Sequence, residues 1–131
     1  MRIEGWEKLL AEHVEQGRDK AFAWGKHDCA LWCADWVSKV TGIDHAAEWR
    51  GQYTNETELN KLLRARGYGS WEAVADACAM SRPLMLARRG DILLHPCGTL
   101  GICTGNYGVF VTERCVLTHP TLACLKAWGV D

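Results

Sequence analysis

Pro83 divides the chain into halves with different hydrophobic periods, and that division constrains the fold more than any other feature of the 131 residues. Before it, apolar residues recur at helical spacing; after it, short apolar and β-branched runs are separated by Gly, Pro and Asn. Helices followed by a run of strands predict an α+β domain, with the N-terminal helices packed on a small antiparallel β-sheet formed by the C-terminal half. The length predicts a single domain over residues 1–131, because domains most often hold ~100–150 residues around one core.

In the first half, Trp6, Leu9, Leu10, His13 and Val14 form one stripe of a helix, which Gly17 is expected to stop. A connector from Lys20 leads to a second helix that starts at Asp28 or Cys29 and runs to about Val40, with Asp28 as its N-cap. Its inward stripe is Cys29, Cys33, Trp36, Val37 and Val40, and Thr41-Gly42 ends it. Residues 43–53 read as a loop. A short helix capped by Thr54 or Asn55 then carries Leu59, Leu62 and Leu63 inward, and Gly67-Tyr68-Gly69 breaks it. Ser70 is positioned to cap a last helix over 71–79, with Trp71, Val74, Ala75 and Cys78 as its buried face.

Beyond Pro83, the segments 90–95, 99–104, 109–112 and 115–118 predict an antiparallel meander. Leu122 to Trp128 fits either a final strand or a helical turn.

Composition narrows the functional classes. Fifteen Lys and Arg against sixteen Asp and Glu give a net charge of −1, without the basic excess that nucleic-acid binding needs, so no nucleic-acid partner is expected. No apolar run approaches the ~18 residues of a membrane span, and charges at Arg2, Glu4, Glu7 and Lys8 oppose a signal peptide, so synthesis and folding in a cytoplasm are expected. The seven cysteines are odd in number and come without a secretion signal, which argues for thiols rather than a disulfide framework. The seven tryptophans exceed what so small a core can hold. Trp32, opposite the inward stripe of its helix, and Trp49, in a loop, are therefore the candidates for a partner interface, with packing against the 43–53 loop as the alternative.

Cys29 is the candidate nucleophile, since unsatisfied N–H groups at a helix start favour a thiolate. The Trp24-Gly25, Asp28-Cys29, Gly90-Asp91-Ile92-Leu93-Leu94 and Leu100-Gly101-Ile102-Cys103 motifs resemble the NlpC-type branch of the papain-like cysteine peptidases and amidases. With Ala127-Trp128 added, nearly the whole chain resembles a family of small proteins encoded in the tail regions of tailed phages and prophages. The resemblance implies a papain-like NlpC-type fold and a place in a tail tip, with tail hub or distal tail proteins as partners. It further implies folding in a host cytoplasm and later residence in the virion.

Residue by residue, the nucleophile position of that pattern falls on Cys29. The histidine position falls on Thr99, and the third, orienting position falls near Val111 or Thr112. Without a base and an orienter a thiol loses its activation, so a catalytically degenerate domain acting through protein–protein contacts is the first expectation. The alternative is a peptidoglycan peptidase or amidase with Cys29 as nucleophile and His95 or His119 as base. In a hairpin closed by Pro96-Cys97-Gly98, His95 stands opposite Thr99 with Cβ atoms ~4.5–5.5 Å apart, which is the geometry such a rescue needs. The set His95, Cys97, Cys103, Cys115, His119 and Cys124 lacks any Cys-x-x-Cys pair, so neither a metal nor any other cofactor is expected.

Overall fold

Cap chemistry sets two of the four helix starts in the computed structural model, which describes residues 1–131. Asp28 precedes α2 (Cys29–Thr41) and Asn55 precedes α3 (Glu56–Ala65), and each carboxylate or amide oxygen accepts the N–H three residues on, from Leu31 at 2.9 Å and Glu58 at 2.8 Å. Thr54, the other candidate cap of α3, instead binds Glu58 Oε1 through its N–H and its hydroxyl. α1 (Trp6–Asp19) runs two residues past Gly17, and α4 (Trp71–Cys78) starts after Ser70, whose side chain makes no capping bond.

The strands are β1 (Ser81–Arg82), β2 (Ile92–Leu94), β3 (Leu100–Cys103), β4 (Tyr107–Val111), β5 (Val116–Pro120) and β6 (Lys126–Trp128). All pairings are antiparallel, in the order β1-β6-β2-β3-β4-β5. The domain is therefore α+β, and β2 to β5 form the expected meander. The last segment resolves its ambiguity both ways: a 3-10 turn at Thr121–Ala123 precedes β6, which returns to insert between β1 and β2.

Each sheet face has its own core. Ile92, Leu94, Leu100, Ile102, Val109 and Val111 meet α2, with Trp36 and Trp128 fully buried among them. Leu93, Cys103, Phe110, Cys124 and Ala127 pack on the other face. A third cluster joins Leu31 of α2 to Trp49, Tyr53, Leu59 and Leu63.

Three expectations are corrected here. Trp32 is 2% exposed, because α1 packs against α2 and His13 stacks on its indole at 5.3 Å between ring centroids. Trp49 is 8% exposed, packed by Trp71 and Tyr68 and covered by the Arg66 guanidinium. Neither is a free interface residue; four of the seven indoles are buried and Trp6, Trp24 and Trp71 are half-buried, because the helical layer has a core of its own. α4 has no fully buried residue and its Cys78 is exposed, so the fourth helix rides on the body instead of closing against it.

Candidate functional site

The chain reaches α2 through a turn at Gly25, whose φ of +76° favours glycine and where a Cβ would stand 2.2 Å from the Tyr53 carbonyl oxygen.

 Gly25 also donates its N–H to Asp28 Oδ2 at 3.0 Å, and Tyr53 donates its hydroxyl to the same oxygen at 2.5 Å. Asp28, 2% exposed, thus holds the turn, the helix start and the 43–53 loop together.

Cys29 follows as the first residue of α2, half-buried against the sheet core. Burial first, and then the negative charge of Asp28, push its thiol up to about 12, while the backbone N–H groups of Leu100 and Ala30 pull more weakly the other way. A helix N-terminus lowers a thiol's pKa when it acts alone. Here it is outweighed, and Cys29 is held as a neutral thiol.

His95 stands opposite Thr99 as the hairpin geometry requires, its N–H bonded to the Thr99 carbonyl at 2.9 Å. Strand alternation, however, sends it away from Cys29: Ile92 and Leu94 face α2, so Leu93 and His95 face the opposite side. There the His95 ring meets Phe110 edge-on at 5.2 Å and His119 at 4.4 Å between centroids. His95 Nδ1 accepts the Cys97 N–H at 3.0 Å, and His119 Nε2 donates to the Ala123 carbonyl at 3.4 Å. Burial and the neighbouring His119 lower the pKa of His95. The two candidate bases are paired with each other across the sheet from the candidate nucleophile.

The positions matching the peptidase pattern are occupied otherwise. Thr99 Oγ1 accepts from Cys97 Sγ at 3.2 Å, Val111 lies in the core at 2% exposure, and Thr112 donates its hydroxyl to the Cys115 carbonyl at 2.6 Å. None can take a proton from a thiol near neutral pH.

The family described as Domain of unknown function (DUF6950) matches residues 1–130. The chain belongs to this family. No curated protein and no solved structure matches it. In this DUF6950 chain, sequence reasoning located Asp28 and Cys29 but missed Tyr53, which sits in a segment with no periodicity to mark it. It also missed an exposed apolar surface made by two adjoining 3-10 turns on the far side of the sheet. Met85 and Leu86 project from the first, at 86% and 66% exposure, and Leu122 and the nearby Leu125 from the second, at 69% and 61%. A run Leu84-Met85-Leu86 directly after Pro83 was the available signal.

Proposed function

We propose that this protein is a catalytically degenerate papain-like domain of the NlpC type, working through protein–protein contacts as an assembly component of a tailed-phage tail tip. The observation that carries the reading is the separation of Cys29 from both histidines by the sheet itself, with the thiol pushed up to about 12. The motif resemblance supplies the tail context, and the leucines of the two 3-10 turns supply a surface for hub or distal tail proteins.

Two measurements test it. Iodoacetamide labelling of the folded protein, followed residue by residue by mass spectrometry from pH 6 to 10, is expected to leave Cys29 no faster than an ordinary thiol, with no muropeptide released from peptidoglycan. Selective labelling of Cys29 near pH 6 together with peptidoglycan cleavage would instead establish the amidase. In a phage or prophage that encodes the chain, Cys29→Ala is expected to assemble normal tails, whereas Leu86→Asp with Leu122→Asp is expected to block assembly. Normal tails in the absence of the whole chain would overturn the assembly role.

A further inference from the structure

The loose seating of α4 leaves a cleft of about 570 Å³ between it and α2, separate from the surroundings of the two histidines. On the α2 wall the small residues Ala30, Cys33 and Ala34 stand beside Leu31 and Val37 and leave room that larger side chains would fill. Val74 and Ala75 of α4 face them, and Trp128 forms part of the lining. Ile43 and Met80, both exposed, also belong to the lining, so it remains apolar where it meets solvent.

The charges around this cleft are already satisfied. Asp76 is bonded by Lys126 Nζ at 2.7 Å and by the Trp128 indole N–H at 2.9 Å, which also ties α4 to the sheet. Asp131 is paired with Arg82 at 2.8 Å and with Arg88. The lining contains no Lys or Arg, its one histidine, His45, is exposed to solvent, and Thr41 donates its hydroxyl to the Val37 carbonyl at 2.7 Å. A charged ligand would find no free counter-ion in the buried part of the walls, and a strongly polar one would lose its hydration without replacement. An uncharged apolar molecule loses nothing by entering. The volume lies within the ~300–1,000 Å³ of small-molecule sites and well above the ~150 Å³ that suffices for benzene.

We propose that the α2–α4 cleft is a binding site for an uncharged apolar small molecule, of the class of a medium-chain alcohol or a flat aromatic hydrocarbon. The site is independent of the assembly reading and of Cys29.

The test uses the neutral fluorophore N-phenyl-1-naphthylamine with the full chain, followed by probe emission and by energy transfer from tryptophan. Saturable binding of one probe per chain is expected, with displacement by dodecanol and much weaker displacement by dodecanoate or dodecyltrimethylammonium. Ala34→Phe and Ala75→Phe, which put a ring into the cleft from opposite walls, are each expected to weaken binding by about tenfold or more. Thermal melts of both variants check that they fold. Leu86→Asp, on the far side of the sheet, is expected to leave the affinity unchanged. Absence of saturable binding, equal affinity in the folded ring-filling variants, or stronger displacement by a charged chain would each overturn the proposal. So would loss of binding as the chain dimerises, since the cleft would then belong to a second copy.

Discussion

Tyr53 and Asp28 share a 2.5 Å hydrogen bond at full burial, and through it the 43–53 loop is fastened to the helix start that carries Cys29. Burial and the Asp28 charge raise the pKa of Tyr53, so the phenol stays protonated and remains the donor. Tyr53→Phe leaves Asp28 Oδ2 with the Gly25 N–H alone. The expected loss is about 1–3 kcal/mol, read from urea unfolding, because a charged buried acceptor loses a partner and gains no water. Asp28→Ala should cost more, since the α2 cap goes with it.

Gly17 does not stop α1, and its role is a close approach: a Cβ there would stand 2.4 Å from Trp32 Nε1. The missing side chain is what lets the indole lie against α1 and donate to the His13 carbonyl at 3.3 Å. Gly17→Ala would gain about 1 kcal/mol of helix propensity on an isolated helix. Overpacking against a 2%-exposed indole outweighs that gain, and a net destabilisation of about 1–2 kcal/mol is expected. Thermal melts monitored by near-ultraviolet circular dichroism would record both the lower midpoint and the displaced Trp32; a higher midpoint would show that α1 simply shifts.

Local chemistry was legible in the sequence where one residue decides the outcome. Asp28 and Asn55 cap their helices because a short side chain reaches the third N–H with no help from the rest of the fold. The meander was legible because turns and apolar runs alternate. What the sequence did not disclose were choices between faces. Ile92, Leu93 and Leu94 are all buried, so nothing in that run says which side meets α2, and the side that His95 takes depends on that choice. Trp32 departs from expectation for a related reason: periodicity marks the inward stripe of α2, but the cover that α1 gives Trp32 is a tertiary contact. For α4, periodicity indicated which residues turn inward without indicating how closely they approach.

Asp91 is fully buried and accepts four donors: Arg2 Nη2 at 3.0 Å and the Val130 N–H at 3.2 Å on Oδ1, Arg82 Nη1 at 2.9 Å and the Arg88 N–H at 3.0 Å on Oδ2. One carboxylate therefore joins both ends of the chain to the sheet. Asp91→Asn must turn an NH₂ group toward two of those donors, leaving Arg2 without a carboxylate partner and Arg82 with Asp131 alone. A loss of about 3–5 kcal/mol is expected in urea unfolding. The loss should change little between low and moderate salt, because a buried pair is poorly screened. A cost below ~1 kcal/mol would mean that Asp131, already paired with Arg82, takes over Arg2 as well.

His13 makes stability depend on pH in a definite direction. Lys39 Nζ, which can only donate, lies 2.9 Å from His13 Nδ1, so that nitrogen carries the lone pair and Nε2 carries the proton donated to the Trp32 carbonyl at 2.9 Å. Burial, assisted by the Lys39 charge and opposed by the Trp32 bond, lowers the pKa to about 4. In the unfolded chain the imidazole binds a proton near pH 6.5. Between those values the unfolded state holds more protons, so the contribution of His13 is complete above about 6.5 and is lost as pH falls toward about 4. The loss is on the order of 3 kcal/mol. Lys39→Met removes the opposing charge but not the burial, so it should raise the His13 pKa part of the way and shrink the acid loss without abolishing it. Titrating the His13 Cε1 proton by NMR beside urea midpoints at pH 7 and pH 4.5 checks both halves, and a folded-state pKa near 6.5 would remove the effect altogether.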